Sequence, residues 1–353
     1  MDPIELLQAL VATPSVSRDE AAVAERLGTW LMRQGLTVEY IGDNLLVRLQ
    51  GRAPGPLLLL NSHLDTVSAK DGWTRDPWSP TIENGRLYGL GSNDAKASLT
   101  AMACAISQLA ERGLERGGVV FAATVMEEVG GGGLEHIVDD LGPITAALVG
   151  EPTSLEAAVA QGGLMILEAT ATGKAAHAAR PWEGKNALDV AARDILAIHA
   201  VELDRVHPLL GRSVANVTVI RGGERHNVIP GACDYTIDVR YTPAYTPAEI
   251  AAILGEVAEA ELRIRSQRLA PVETAADAPI VRALRQAAPD LRLVGSPTMS
   301  DWAHLRHVEA VKIGPGDSAR SHTPDEWVAC ADVHRAVDLY RDAALALLAG
   351  DPS

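Results

Sequence analysis

The chain has 353 residues, of which 47% are hydrophobic and 22% charged, and its formal net charge is -15 at pH 7. Such an acidic balance disfavours nucleic acid and anionic membranes as partners, because both select basic surfaces. A cytoplasmic protein is expected, because no apolar run approaches the ~20 residues of a membrane span, no secretion signal is recognisable, and the three cysteines form no CxxC pair.

The first part of the chain alternates between predicted helices and strands. Ser17 is a candidate N-cap, because acidic residues follow it and the predicted helix ends at Gly35. The dipeptide Asn84-Gly85 stands between alternating residues and predicts a β-hairpin. Further strands are predicted at 37–42, 44–50, 57–61, 118–126 and 146–150, and further helices at 95–112 and 132–141. This alternation predicts an α/β sandwich with a mostly parallel sheet.

The pattern changes near Gly163. Four alternating strands, interleaved with helices at 186–203 and 247–261, form a βαββαβ pattern, which is typical of an antiparallel sheet with helices on one face. After Pro271 the chain returns to helix–strand alternation and ends in a predicted helix at 331–349. Because 353 residues exceed what one core usually holds, we predict two domains. Residues 1–163 plus 272–353 form a catalytic domain, and residues 164–271 are inserted into it.

Titratable side chains recur after the predicted strands of the first domain, at the sheet edge where α/β proteins place their sites. They are His63, Asp65, Asp94, Glu127, Glu128, Glu151 and His322. So many carboxylates at one edge repel one another unless a polyvalent cation compensates their charge. Imidazole and carboxylate without thiolate suit zinc or a similar divalent ion in a hydrolytic site. Asp65 is expected to lie near the distal nitrogen of His63 and to fix the tautomer of that ring.

Five motifs follow one another in a characteristic order and spacing: SHLDTV, GLGSNDAKA, MEEVGGGG, VGEPT and SHTPDE. In these motifs the chain resembles the dinuclear-zinc amidohydrolases and metallopeptidases, which include acetylornithine deacetylase, succinyl-diaminopimelate desuccinylase, aminoacylase and carboxypeptidase G2. The resemblance covers essentially the whole chain. It implies a zinc-peptidase-like α/β domain and an inserted ferredoxin-like domain for dimerisation or lid closure.

The resemblance also implies a site for two divalent metal ions, zinc in the first place, with cobalt or manganese as alternatives. Asp94 would bridge the two ions, and in this family the peptide bond after the bridging aspartate is usually cis. His63 and Glu151 would complete the first metal site. Glu128 and His322 would complete the second.

The remaining implied roles concern the reaction and the substrate. Glu127 would be the general base that takes a proton from a metal-bridging water. His177 of the inserted domain would enter the partner's active site in a homodimer and stabilise the oxyanion. Asn227 and Arg240 would contact the substrate, and Gly314 would let backbone amides approach it. By sequence pattern alone, His177 and Arg240 are ordinary surface residues of a hairpin and a strand end.

The expected substrate is an N-acetyl amino acid of the ornithine, citrulline or lysine type. Residues 72–95 most resemble the acetylornithine and acetylcitrulline deacetylases. Desuccinylases of the family carry Arg-Gly before the inserted domain, whereas this chain has Gln161 followed by two glycines. Without that guanidinium the case for a dicarboxylic acyl group is weaker. We therefore expect metal-dependent deacetylation in arginine or lysine metabolism.

Two other hypotheses stay open. A dipeptidase, aminoacylase or aminopeptidase would use the same pair of metals on a different small substrate. A non-catalytic binding protein on this scaffold is the third hypothesis. The complete ligand set and the presence of Glu127 count against it, because loss of activity normally removes one of them.

Overall fold

In a computed structural model that describes residues 2–350, the chain divides into two units. The first unit comprises the residues up to Val159, Thr274–Val294 and the residues from Ser300 on; the second comprises Ala160–Glu273 and Gly295–Met299. The ends of the predicted catalytic domain, residue 1 and residues 351–353, lie outside the described residues. Among the described helices, none combines the length and apolarity that crossing a bilayer requires.

The regular elements are numbered in chain order. The helices are α1 (Pro3–Val11), α2 (Ala21–Arg33), α3 (Lys96–Arg112), α4 (Leu134–Ile137), α5 (Ala187–His199), α6 (Pro247–Val257), α7 (Pro279–Ala287) and α8 (Cys330–Ala349). The strands are β1 (Val38–Ile41), β2 (Asn44–Gln50), β3 (Ala53–His63), β4 (Thr81–Glu83), β5 (Arg86–Tyr88), β6 (Arg116–Thr124), β7 (Ala146–Val149), β8 (Ala157–Gln161), β9 (Gly163–Thr172), β10 (Ala176–His177), β11 (Val206–His207), β12 (Gly211–Arg212), β13 (Val214–Gly222), β14 (Val228–Ile229), β15 (Ala232–Tyr241), β16 (Glu261–Leu269), β17 (Val272–Glu273), β18 (Leu293–Ser296), β19 (Glu309–Lys312) and β20 (Trp327–Ala329).

The main sheet of the first unit is parallel at its centre and antiparallel towards its edges. Strands β6, β3, β7 and β19 lie side by side and pair in parallel. Strands β1, β2 and β8 pair antiparallel outside them. Leu58, Leu59 and Leu60 of β3 are fully buried, as expected of a central parallel strand covered on both faces. The predicted α/β class is confirmed, and the parallel strands bring their carboxyl ends to one edge.

Two local predictions have opposite outcomes. The hairpin at Asn84-Gly85 is confirmed, since β4 and β5 pair antiparallel and the two residues have φ values of 51° and 73°. The predicted N-cap at Ser17 is wrong. Helix α2 begins only at Ala21, and the Ser17 hydroxyl donates instead to the Asp65 carboxylate at 2.7 Å. Ser17 therefore bonds to a residue distant in sequence instead of capping the helix, as its local sequence had predicted.

The second unit is built on a four-stranded antiparallel sheet in the order β13-β15-β9-β16. Buried and less buried residues alternate along β9 and β15, so one sheet face forms a core. Helices α5 and α6 add apolar residues to that core, among them Val190, Ile250 and Leu254. The chain order β9-α5-β13-β15-α6-β16 is the βαββαβ pattern of a ferredoxin-like fold.

Two glycine substitutions test these local conformations with opposite expected signs. Gly255 lies in α6 with open space at its Cβ position, so Gly255→Ala should raise the free energy of unfolding by about 0.5–1 kcal/mol. Gly85 also has open space but a φ of 73°, so Gly85→Ala should lower the free energy of unfolding by roughly 1 kcal/mol. Urea denaturation measures both, and a stabilising Gly85→Ala would contradict the hairpin geometry.

Candidate metal centre

Two imidazoles and three carboxylates meet at the carboxyl-terminal edge of the central strands. Asp94 lies between the imidazoles, with Oδ1 3.5 Å from His63 Nε2 and Oδ2 3.6 Å from His322 Nε2. Glu151 Oε1 is 3.9 Å from His63 Nε2. Glu128 Oε2 is 2.9 Å from His322 Nε2. Each imidazole therefore has one glutamate of its own, and the two share the aspartate.

The sheet explains why residues so far apart in sequence meet here. His63 is the last residue of β3, and Glu127 opens the short 3₁₀ turn that follows β6. Glu151 comes two residues after β7 ends. Because β3, β6 and β7 are parallel neighbours, their ends lie together. Asp94 joins them from the loop before α3, and the Asp94–Ala95 peptide bond is cis, as the resemblance implies.

The electrostatics of the cluster reflect an excess of acids. Burial raises the pKa of Glu151 to about 8, and the charge of Asp94 adds to the rise. Burial also raises the pKa of Glu127 well above its usual range, with Glu151 as the next contributor. Burial alone would lower the pKa of His63, but the neighbouring carboxylates of Asp65 and Asp94 outweigh burial and raise the pKa. A bound cation would remove the cost of ionising these carboxylates together.

The residues present fit divalent metal ions. The buried Nε2 atom of His63 makes no hydrogen bond to any described residue, which is a costly position for an imidazole nitrogen without a ligand. Ligand atoms of His63, Glu127 and Glu151 lie within 4.8 Å of one another, and so do those of His63, Asp94 and Glu128. Imidazole nitrogen and carboxylate oxygen are ligands that zinc, cobalt and manganese accept.

Asp65 organises the residues around it through both its carboxylate and its backbone. His63 Nδ1 lies 3.0 Å from the main-chain oxygen of Asp65 and 3.4 Å from Oδ1. The carboxylate accepts the main-chain N–H groups of Glu127 and Glu128, each at 3.1 Å, and the Ser17 hydroxyl. Burial raises the pKa of Asp65, but the hydrogen bonds from His63 and its other partners outweigh burial and lower it. Asp65 therefore links the imidazole to the two-glutamate turn.

Sequence reasoning missed a second buried carboxylate behind the site. Glu326 is only 1% exposed and accepts the main-chain N–H groups of Gly91, Asn93 and Asp94 at 3.0, 2.8 and 2.9 Å. Glu326 thus holds the loop that presents Asp94. The available signal was its place at the end of the SHTPDE motif, four residues after His322.

A buried lysine and a buried aspartate also escaped the sequence analysis. Lys312, the last residue of β19, is 2% exposed, and burial lowers its pKa while Glu151 and Glu127 oppose that shift. Asp301 Oδ2 accepts the hydroxyl of Thr124 at 2.7 Å. Lys312 adds positive charge near the acids, and the short strand that carries it, Glu309–Lys312, gave no sequence signal for that position.

Three of the residues predicted to act on the substrate or the oxyanion lie in the second unit, and the fourth, Gly314, lies in the first. His177 is exposed at the end of β10, and its Nδ1 accepts the main-chain N–H of Ala179 at 3.1 Å. Asn227 is exposed, and its main-chain oxygen accepts the N–H of residue 178 at 3.0 Å. The Arg240 guanidinium is paired with both carboxylate oxygens of Asp238, at 2.8 and 3.1 Å.

Gly314 lies in the first unit, close to the metal-ligand candidates. Its N–H donates to the hydroxyl of Thr153 at 3.1 Å. A Cβ atom at this position would lie 2.2 Å from Ser98 Oγ and 2.5 Å from the main-chain oxygen of Glu151. The absence of a side chain is therefore required by packing beside Glu151.

The chain is similar to known proteins in sequence and in fold. The sequence model of peptidase family M20/M25/M40 matches residues 59–346. The chain is 27% identical to a probable succinyl-diaminopimelate desuccinylase of Staphylococcus epidermidis, over 98% of each chain. It is 32% identical to an acetylornithine deacetylase of Myxococcus xanthus, over 79% of this chain and 77% of that one. The crystal structure of aminopeptidase PepT from Bacillus cereus has a TM-score of 0.82 at 21% identity and covers 98% of both chains.

Metal analysis of variants tests the candidate centre. Wild-type protein loaded with zinc and then desalted should retain about two ions per chain, as a dinuclear site requires. Asp94→Ala should retain fewer than one, because both imidazoles share this carboxylate. Glu111→Gln, which removes an exposed carboxylate from α3, should retain two. Elemental analysis that finds equal metal content in wild type and Asp94→Ala would contradict the assignment.

Proposed function

The chain belongs to peptidase family M20/M25/M40, and from this premise we propose that it deacetylates an N-acetyl amino acid of the ornithine, citrulline or lysine type. As a member of this family it is an amide-bond hydrolase, which confirms the predicted reaction class. The observation that carries the proposal is the placement of Asp94, which turns one carboxylate oxygen towards each imidazole. A bridging carboxylate is what a pair of hydrolytic metal ions needs.

The proposed ligand set follows from the pairings in the site. His63 and Glu151 would hold one divalent ion, and Glu128 and His322 would hold a second, with Asp94 shared between them. Zinc is the proposed metal, with cobalt or manganese as alternatives. When bound, such a pair polarises a scissile carbonyl and lowers the pKa of water towards neutrality.

Glu127 is the proposed general base. Its carboxylate lies within 4.8 Å of ligand atoms of His63 and Glu151, while its main-chain N–H is fixed by Asp65. From this position it would accept a proton from the attacking water and return it to the leaving nitrogen. Burial raises its pKa, and a carboxylate with a raised pKa is a stronger acceptor for the proton of water.

The acetyl group is proposed over a succinyl group on the evidence of Gln161. This residue is fully buried at the end of β8, at the position where desuccinylases of the family carry an arginine. A neutral amide offers no ion pair to a second carboxylate. The similarity to the acetylornithine deacetylase of Myxococcus xanthus supports the same choice, and it is the basis for proposing a step in arginine biosynthesis.

We further propose that the inserted domain, residues 164–271, forms a homodimer and that His177 acts in the partner's site. Strand β13 lies at the edge of its sheet. Val214, Val219 and Ile220 on this strand expose 49%, 40% and 50% of their surface. An apolar edge strand is a template for pairing with a second chain. The exposure of His177 leaves its ring accessible.

A cytoplasmic location is proposed from the cysteines. Cys104 and Cys233 are buried thiols, Cys330 is partly buried, and the described residues contain no disulfide. Unpaired thiols are usual in reducing compartments. An enzyme acting on small N-acyl amino acids would meet its substrate there.

The substrate and the base are tested together. Metal-loaded protein should hydrolyse N-acetylornithine, N-acetylcitrulline or N-acetyl-lysine with a higher kcat/KM than N-succinyl-diaminopimelate, N-acetyl-methionine or dipeptides. Glu127→Ala should lower kcat by a factor of about 10³ or more, because it removes the proton carrier, and should keep its metal content. Chromatographic separation of each substrate from its products measures the turnover, and elemental analysis measures the metal content.

The control for the base is Glu111→Gln, which removes an exposed carboxylate from α3. The kcat of this variant should match that of wild type. Preference for dipeptides would replace the deacetylase proposal by the peptidase hypothesis. Undiminished turnover by Glu127→Ala would show that another group carries the proton.

A mixed dimer tests the role of His177. Glu127→Ala and His177→Ala dimers should each be nearly inactive. A heterodimer of the two should regain activity, because one of its two sites then combines an intact Glu127 with an intact His177 from the other subunit. Co-expression with two affinity tags isolates the heterodimer, and sedimentation measures its mass. An inactive heterodimer, or a monomeric wild type, would contradict the proposal.

A further inference from the structure

The turn that carries the two active-site glutamates is held by buried carboxylates through its main chain. Three consecutive N–H groups of this turn donate to carboxylates elsewhere in the chain. Met126 N–H donates to Glu20 Oε1 at 3.0 Å. The N–H groups of Glu127 and Glu128 donate to Asp65 Oδ1 and Oδ2, each at 3.1 Å. The conformation of this 126–128 turn therefore depends on two acceptors outside it.

The first residue of the turn needs such support. Met126 has φ 57° and ψ 25°, a left-handed conformation that residues with a side chain rarely adopt. A residue in this region persists only when its surroundings fix it. The glycines that follow, Gly130 and Gly131, have φ values of 94° and 86° and let the chain turn, and the Gly131 N–H donates to the main-chain oxygen of Met126 at 3.0 Å. The Met126 N–H group is held by the hydrogen bond that it donates to the Glu20 carboxylate.

Glu20 is held in place by the segment before α2. The Ser15 hydroxyl donates to the main-chain oxygen of Leu64 at 2.8 Å. Thr66 N–H donates to Ser15 O at 2.9 Å, and Ser17 N–H donates to Thr66 O at 3.1 Å. Glu20 itself is only 2% exposed. The segment 15–20 thus pairs with the residues on either side of Asp65. As a result, the carboxylates of Glu20 and Asp65 both contact the 126–128 turn.

We propose that Glu20 is a positioning residue for the reaction, which fixes the backbone of Met126 and thereby aims the side chains of Glu127 and Glu128. The proposal rests on the proposed function in that Glu127 and Glu128 act at the site. No contact of Glu20 with a metal ion or substrate is involved. An acceptor oxygen suits the task, because a buried N–H group that is left without an acceptor costs free energy.

The test compares two changes at Glu20. Glu20→Met keeps the length of the side chain but removes the acceptor, and we expect kcat to fall about 10–100-fold with KM changed less than about threefold. The affinity of metal-free protein for zinc should fall by a similar factor, because the side chain of Glu128 is no longer held in the position proposed for binding the metal. Glu20→Gln keeps an acceptor oxygen and should stay within about threefold of wild type in both measurements.

The matched control is Glu25→Met, which removes an exposed carboxylate from α2 and should change neither measurement. A second pair of variants separates positioning from folding. Met126→Gly adopts the left-handed backbone without steric cost. The double variant Glu20→Met/Met126→Gly should therefore recover at least about tenfold in zinc affinity and kcat over Glu20→Met.

Two results would overturn the inference. One is a Glu20→Met protein with a lowered melting temperature but wild-type kcat and zinc affinity, since that is a purely structural role. The other is a double variant no better than Glu20→Met. If wild type hydrolyses none of the substrates, the proposed function fails. Zinc affinities of the same variants, measured by calorimetry, still decide the role of Glu20.

Discussion

The repulsion among acidic side chains at one edge of the central sheet is the constraint on which the rest of the structure depends. Four carboxylates converge there near the imidazoles of His63 and His322; they belong to Asp94, Glu127, Glu128 and Glu151. Without a cation, burial raises the pKa values of the buried glutamates. With divalent cations, Asp94, Glu128 and Glu151 would form the proposed ligand set together with the two imidazoles, and that set would join strand ends to loops from distant parts of the chain.

Behind these acids lies an outer layer of carboxylates that face the backbone. Asp65, Glu20 and Glu326 accept main-chain N–H groups from the segments that carry the inner acids. The inner side chains are therefore positioned by fixed backbone, so that little reorganisation is needed when charge develops during hydrolysis. The two layers use the same functional group differently, because the inner carboxylates would bind the proposed cations and the outer carboxylates accept main-chain N–H groups.

Local patterns predicted much of this molecule, and long-range contacts account for what they missed. Apolar strands ending in titratable residues predicted the sheet edge at which His63 and Glu151 meet, since parallel strands align their ends. Ser17 carried the correct local signal for a helix start, yet its partner lies 48 residues away. Glu20 finds its partner 106 residues away. No local pattern encodes such pairings, and for Lys312 the surrounding strand gave no hint of a charged neighbourhood.

The central claim is most directly tested by anomalous diffraction at the zinc edge from crystals of metal-loaded protein. We expect two peaks about 3.5–4 Å apart, on either side of the Asp94 carboxylate. One peak should lie beside His63 and Glu151, and the other beside His322 and Glu128. Diffraction from metal-replete crystals with no anomalous density between the two imidazoles would contradict the account.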